Sequence, residues 1–364
     1  MPYSSLDVVV GGQTGSESKG RVAASLVRRR TNEIHPSRRV ISIRVGGPNA
    51  GHVVIDPTTG DPLAMRQIPV GLIEPTSVLY IAPGSEVDLD VLAAEIDLLE
   101  NTYGYEIRPR LFVSPEATIL THEHIAAEKA SDLVARLGST AKGIGAARAD
   151  RIWRTAPRVA DRRDWFDQRS IRVQDPVRPS LNCPVVIEGT QGYGLGLHAG
   201  AYPQCTSGDC RAIDFCAQAG VNPWDVAADR FQVHVVVRPY PIRVAGNSGP
   251  LHEETTWEEL GLAPERTTVT QKIRRVGHFD ADLVAEAVQA NGRSVSKVHL
   301  AMADQVAPSL AGTDEIRAFL DLEGTDPQGA EALNDLISAI ETHSDAPVVS
   351  LGTGPRTEID LEEF

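Results

Sequence analysis

Short β-branched runs recur along the chain, at Val8–Val10, Val40–Val45, Val78–Ala82, Val185–Ile187, Val233–Val237, Val298–Leu300 and Val348–Ser350. Most are continuous rather than alternating. A strand with one wet face alternates apolar and polar residues, whereas a strand covered on both faces is apolar throughout. The runs therefore predict strands buried on both sides. Helical patterns lie between several of them. Asp88–Glu100 opens on an acidic residue and repeats apolar positions at three- and four-residue intervals, and His122–Leu137 and Asp280–Ala290 read alike. Strands alternating with helices predict an α/β fold. We expect a single large domain over residues 1–364, with a central mostly parallel β-sheet, helices on both faces and loop insertions. The Arg-, Asp- and Pro-rich stretch 148–180 reads as an excursion from it.

Charge narrows the partners. The chain of 364 residues carries a formal net charge of −14. A nucleic-acid polymer needs a basic surface, so none is expected as a partner. A small phosphorylated ligand can still be held by a local basic cluster. No apolar stretch approaches the ~20 residues that span a bilayer, and the start lacks a signal-peptide pattern. No membrane partner is expected, and the chain reads as cytoplasmic. Cys183, Cys205, Cys210 and Cys216 lack zinc spacing and read as reduced thiols.

Three glycine-rich polar segments each follow a strand. The first is Gly11–Arg21 (GGQTGSESKGR), after Val8–Val10 and before a helix-like run Arg21–Arg30. Strand, glycine turn, lysine and helix aim backbone N–H groups and a helix N-terminus at phosphate. It is not a standard P-loop, because Gly20 rather than Ser or Thr follows Lys19. The second, Gly46–His52, follows Val40–Val45 and ends on a candidate acid or polarising group, His52. The third, Glu188–Gly192, follows Val185–Ile187. Each alone could be a plain turn. In an open α/β sheet, ligands bind at the carboxyl ends of strands, so all three can converge on one crevice. A fourth segment, Thr267–Arg275 (TTVTQKIRR), sets hydroxyls beside Lys272, Arg274 and Arg275 and suits a carboxylate or phosphate ligand.

Taken together, the segments resemble adenylosuccinate synthetases. GSESKGR (15–21), NAGH (49–52), TAKGIGAA (140–147), EGTQG (188–192), YPQCTS (202–207), TTVTQKIRR (267–275) and GTGPR (352–356) match that family's motifs in order along nearly the whole chain. The resemblance implies a C–N bond-forming ligase. It phosphorylates a purine 6-oxo group with a nucleoside triphosphate and Mg²⁺, then displaces the phosphate with L-aspartate. It implies catalytic positions at Ser16, Lys19, His52 and Gln191. Donor-nucleotide binding is implied for Gly15, Glu17, Ser18, Lys19, Gly20, Arg21, Gly51, His52, Val53, Asp304, Gly352, Thr353 and Gly354. The purine nucleotide falls to Ser16, Asn49, Ala50, Thr140, Arg154, Gln191, Thr206 and Lys272. Aspartate falls to Thr268, Val269, Thr270, Gln271, Lys272, Ile273 and Arg274, and Mg²⁺ to Ser16 and the Gly51 carbonyl. Arg154 matches an arginine that reaches the nucleotide across a homodimer interface.

The departures carry information. Ser16 stands where the family has a catalytic Asp, and Ser18 where it has Gly. Losing that carboxylate removes charge and bulk beside the base and makes room for a 2-amino group. One branch shows this change: the phage enzymes that make 2-aminoadenylosuccinate from dGMP for diaminopurine DNA. The resemblance to that branch implies dGMP, L-aspartate and ATP or dATP as partners, and a host-cytoplasmic setting. The family's guanine-reading T-K-x-D segment is Ala301-Met302-Ala303-Asp304 here, which turns the expected donor from GTP to ATP or dATP. Lys272 stands for an Arg. Two other readings are an ordinary adenylosuccinate synthetase using IMP and GTP, and a non-catalytic nucleotide-binding homologue.

Overall fold

The computed structural model describes residues 3–177, 182–267 and 271–362. One ten-stranded sheet runs through them. Its strands are β1 (Tyr3–Gly11), β2 (Ile41–Arg44), β3 (Val78–Ile81), β4 (Leu111–Val113), β5 (Arg172–Val173), β6 (Cys183–Glu188), β7 (Phe231–Val237), β8 (Ser296–Leu300), β9 (Val348–Gly352) and β10 (Glu358–Asp360). Their spatial order is β10-β9-β8-β7-β1-β6-β2-β3-β4-β5, and only β10 runs antiparallel to its neighbour. The longer helices are α1 (Lys19–Glu33), α2 (Leu89–Asn101), α3 (His122–Ala130), α4 (Ile144–Trp153), α5 (Ala212–Ala219), α6 (Ala281–Asn291) and α7 (Pro327–Ser344).

The continuous apolar runs mean what they suggested. Val8 and Val10 of β1 enter one core with Phe215, Val284, Leu333 and Ile340 from α5, α6 and α7. Val9, between them, enters a second core with Val22 and Leu26 of α1 and Leu92 and Ile96 of α2. With helices on both faces, the residues of the central strands are buried almost throughout, so alternation vanishes there. No helix among the described residues is long and apolar enough to cross a membrane.

Three local readings change. β1 extends from Tyr3, well before Val8, because the buried Asp7 is a paired carboxylate that the apolar count passes over. The expected helix His122–Leu137 breaks into α3 and a short helix Leu133–Leu137. Asp132 sits between them at φ +58, and the Glu128 carboxylate turns away to bind the Gly143 and Gly145 N–H groups. The described part of the stretch 148–180, up to residue 177, is not an excursion. It holds most of α4 and supplies the edge strand β5, which pairs with β4.

Candidate active site

The parallel strands β9, β8, β7, β1, β6 and β2 are consecutive neighbours, so their carboxyl ends share one edge. The loops that follow them are therefore brought together without further design. The contacts are close enough to require glycine. A Cβ on Gly11 would lie 2.7 Å from the Gln191 carbonyl oxygen, and one on Gly192 would lie 2.6 Å from the Gln13 carbonyl oxygen. The phosphate-type loop thus touches the Glu188–Gly192 loop. His52 packs on the first turn of α1, where a Cβ on Gly20 would meet its Cβ at 2.8 Å.

In the loop Gly12–Ser18, Gly15, Ser16 and Ser18 have φ of +89°, +61° and +69°. Left-handed backbone of this kind gathers N–H groups into an anion-binding concavity. Ser18 caps α1 with no side-chain bond, so the first N–H groups of the helix stay available to a ligand. Buried Lys19 donates to the Glu17 carboxylate at 2.6 Å, and Glu17 also accepts from the Gly15 N–H at 2.6 Å. Glu17 therefore points inward and holds the loop closed. Arg238, directly after β7, fixes the far side. It exchanges backbone–side-chain bonds with Gln13 and reaches the Ser16 carbonyl at 3.3 Å. Glu265 balances its charge.

His52 is buried beside an ion pair. Arg44 Nη1 donates to Glu188 at 2.6 Å, and His52 Nδ1 lies 3.2 Å from Arg44 Nη1 and 3.3 Å from the Glu188 carboxylate. Arg44 also holds the Ala50 carbonyl, so the same side chain shapes the Asn49–His52 loop. Burial, then the Arg44 charge, push the His52 imidazolium down to about 4, outweighing Glu188. The ring is neutral at physiological pH. With Nδ1 engaged by the pair, Nε2 remains to meet a ligand.

A pH prediction arises here. His52 and the equally buried His299 are both pushed by burial from 6.5 down to about 4. The unfolded chain takes up these protons near pH 6.5, whereas the folded protein resists until about pH 4. Stability is therefore full above 6.5 and is lost progressively as pH falls from 6.5 to 4. The loss is of order a few kcal/mol. Asp7, held near 2 because Arg30 and His234 outweigh its burial, extends the loss below pH 4. Thermal melts between pH 8 and 4 should show a falling Tm; a flat Tm down to pH 4.5 would contradict the assignment.

Asn49, Thr190, Gln191 and Thr206 line one pocket with Gly47, Ile144, Arg148 and Asp209. The structure thus joins three of the expected nucleotide-binding residues, Asn49, Gln191 and Thr206. Arg148 pairs with Glu86 at 2.7 Å beside them. Ala50 borders the pocket through its loop. Thr140 is exposed just before α4, and Arg154 is exposed at its end, next to Ile152 and Trp153, which are 73% and 76% exposed. On the aspartate segment, Arg274 Nη1 donates to the Ser16 hydroxyl at 2.6 Å, although the two residues are 258 positions apart. Gln271, Lys272 and Ile273 are exposed beside it. Thr268, Val269 and Thr270 lie outside the described residues.

At the other end of the site stand Asp304, Gly352, Thr353 and Gly354, after β8 and β9. Burial raises the Asp304 carboxyl. Arg21 reaches this corner from α1: a Cβ on Gly352 would lie 2.6 Å from its Nη2. Gly51 and Val53 are exposed on either side of His52.

Sequence reasoning did not single out Arg44, Arg238, Glu265 or Arg148 as site residues, and it placed Glu188 and Gln13 in the candidate loops without giving either a role. Arg44, Glu188 and Arg238 each sit at the carboxyl end of an apolar run, a signal that could have flagged them. Gln13, Glu265 and Arg148 offered no such cue.

The adenylosuccinate synthetase family model matches residues 8–177 and 177–326. The adenylosuccinate synthetase of Thermococcus sibiricus is 33% identical over 364 residues, covering 98% of each chain. That of Methanocaldococcus jannaschii is 32% identical, covering 97% of this chain and 96% of its own. Among solved structures, the succinoaminodeoxyadenylate synthetase of cyanophage S-2L, bound to dGMP and to dATP as an energy donor, superposes with a TM-score of 0.78. It is 30% identical and covers 97% of this chain and 94% of its own. The Plasmodium falciparum adenylosuccinate synthetase superposes at 0.74 with 19% identity over 98% of this chain and all of its own, a likeness of fold.

Proposed function

This chain belongs to the adenylosuccinate synthetase family and is a C–N bond-forming ligase, and we propose that it joins dGMP to L-aspartate at the expense of ATP or dATP. The observation that carries the choice of substrate is Ser16. It stands exposed at the mouth of the phosphate loop, at φ +61°, with its hydroxyl bonded to Arg274. A carboxylate at this point would bring negative charge and bulk against the purine and form an ion pair with Arg274. A serine leaves room for a 2-amino group and leaves the Arg274 guanidinium, near the Glu265 charge but bonded to no carboxylate among the described residues, ready for a substrate carboxylate. The S-2L synthetase, solved with dGMP and dATP, supports the same reading.

The reaction follows from the groups in place. As the N1 proton passes to solvent water, the purine O6 attacks the γ-phosphorus, the bond from phosphorus to the bridging β-oxygen breaks, and ADP or dADP leaves. Lys19 and the open N-terminus of α1 stabilise charge on the transferring group. His52, neutral and held at Nδ1, donates from Nε2 as charge grows on the phosphate. The neutral aspartate amine then attacks C6, phosphate departs and the surplus amine proton passes to solvent, giving 2-amino-2′-deoxy-N6-succinyladenylate. Arg274 supplies the bidentate fork for an aspartate carboxylate.

Mg²⁺ fits this site in a limited way. Among the described residues no group of His, Cys, Asp and Glu could hold a metal ion alone. Mg²⁺ in phosphoryl-transfer sites is bound largely by phosphate oxygens and water, with one or two protein oxygens. The Ser16 hydroxyl, which here accepts from Arg274, and the Gly51 carbonyl belong to exposed residues and are oxygens of that kind. The ion would enter with the triphosphate and neutralise its charge.

The nucleotide site is completed by a second copy of this chain. Arg154 stands out from the end of α4 between the pocket helix and solvent. Exposed Ile152 and Trp153 beside it form the kind of aromatic and arginine cluster found at interface centres. A homodimer would carry Arg154 into the partner's nucleotide pocket.

The test is phosphate release with aspartate and Mg²⁺ across IMP, GMP and dGMP, each with ATP, dATP or GTP. Turnover is expected with dGMP and an adenine donor. Turnover confined to IMP and GTP would overturn the reading in favour of the ordinary synthetase, and no turnover would point to a non-catalytic homologue. Ser16→Asp should lower kcat/KM for dGMP by about tenfold or more, the cost of an unfavourable polar contact of ~1.4 kcal/mol or more. Unchanged kinetics would remove the serine from the selectivity argument.

A further inference from the structure

A chain of polar side chains crosses the sheet beneath α1. Arg30, in the last turns of α1, holds Asp7 of β1 through two bonds of 2.8 and 2.7 Å. Asp7 meets His234 of β7 at 3.0 Å, and His234 meets His299 of β8 at 2.8 Å. His299 bonds Ser350 of β9 at 2.8 Å and approaches Glu358 of β10 at 3.5 Å. Glu358 ends the chain against Arg21, at 2.7 Å, in the first turn of α1. Such groups cost several kcal/mol to bury and persist only when each has a partner. Every link here has one, but the last, Arg21, is met by a carboxylate on one nitrogen only.

Arg21 is the exception. Its contact with Glu358 is a close ion pair without an aligned hydrogen bond, and both Nη atoms are buried with no hydrogen-bond partner. Its side chain is only 12% exposed. Nη1 is committed to the Glu358 carboxylate, whereas Nη2, buried with neither an ion pair nor a hydrogen bond, calls for an acceptor. The group passes over Gly352, at the corner where β8 and β9 end, and its charge is felt at Asp304. Both ends of its setting are fixed. The Cβ-free Gly352 gives it room, and Glu358 pulls it to that side.

We propose that Glu358 is a positioning residue for the donor nucleotide, holding Arg21 so that its free N–H groups face the nucleoside triphosphate. The proposal rests on the reading of this corner as the donor subsite. The antiparallel strand β10 thus has a task beyond closing the sheet. It delivers a carboxylate behind the arginine rather than in front of it, so Arg21 is oriented without being used up. His299 and Ser350 in turn hold Glu358. Burial raises its carboxyl, but the Arg21 charge, then His299, pull it well below the usual carboxylate range, so it is an anion when the donor binds.

The experiment is calorimetric titration of Mg-ATP into the full-length protein and its variants. Glu358→Gln should weaken ATP binding by about tenfold, the worth of one charge-assisted contact. Arg21→Met should weaken it at least as much, and the double variant no more than Arg21→Met alone. Glu358→Asp should recover part of the loss, and dGMP affinity should stay within about twofold throughout. Arg30→Met breaks the far end of the same chain, so it should lower Tm without changing ATP affinity. Wild-type ATP affinity in Glu358→Gln would overturn the proposal. So would multiplying losses in the double variant, or an Arg30→Met loss equal to that of Glu358→Gln, which would mark general destabilisation. A wild-type protein that binds no ATP would overturn both the donor subsite and the proposal. ATP binding without turnover of dGMP would count against the dGMP reading alone and leave the Glu358 comparison decisive.

Discussion

Replacing Lys19 with methionine is expected to lower kcat by about a thousandfold or more, because a preorganised charge on the transferring phosphoryl group is lost. Lys19 is buried, and its position is set by Glu17 at 2.6 Å. The variant therefore has a second effect: Glu17 is left buried with only the Gly15 N–H as partner. Removing one member of a buried pair costs roughly 3–5 kcal/mol. Pairing Lys19→Met with Glu17→Gln should restore most of the stability, because the amide oxygen can still accept from Gly15, but none of the activity. Recovery of activity in the double variant would show that Lys19 serves the fold alone. The same variant tests the dimer. Mixed with inactive Arg154→Ala and allowed to exchange subunits, it should regain roughly a quarter of wild-type activity. Half of the dimers are then mixed, each with one complete site. No recovery would remove Arg154 from the partner's site.

Arg44→Met should be the most destabilising single change at the site. Arg44 is 1% exposed and holds Glu188, the Ala50 carbonyl, the Arg66 carbonyl and His52 Nδ1 together. Its loss leaves Glu188 as a buried charge, retaining the Val70 N–H and His52. We expect a loss of about 3–5 kcal/mol, read as a fall in denaturation midpoint. With Arg44 gone, the larger of the two charges that oppose protonation of His52 disappears, while Lys19, burial and Glu188 remain. The imidazole should therefore titrate higher, visible by NMR as a shift toward neutral pH. A stable variant with an unmoved histidine would refute the assignment of Arg44 as the organiser of this loop.

These effects show where legibility ended. Val8–Val10 and its counterparts announced a sheet buried on both faces, because apolar continuity is a direct consequence of helices covering both sides. The three glycine-rich loops could be placed at the carboxyl ends of strands for the same reason. Glu358–Asp360 and Arg172–Val173, by contrast, are edge strands of two or three residues with polar side chains, and carry no such pattern. The break at Asp132 was hidden because helix periodicity does not record a carboxylate, Glu128, drawn off to bind Gly143 and Gly145.

The sequence by itself determined the α/β architecture and the phosphate-type loop, and through its motifs the family. These depend on local order: which residues follow which strand. Only the tertiary structure decided the pairings that make the site work. Ser16 and Arg274, Arg44 and Glu188, Gln13 and Arg238, and Glu358 and Arg21 are each far apart in the chain. A parallel sheet brings distant segments to one edge. Once there, a charge withdrawn from water must find its partner across the fold rather than along the chain.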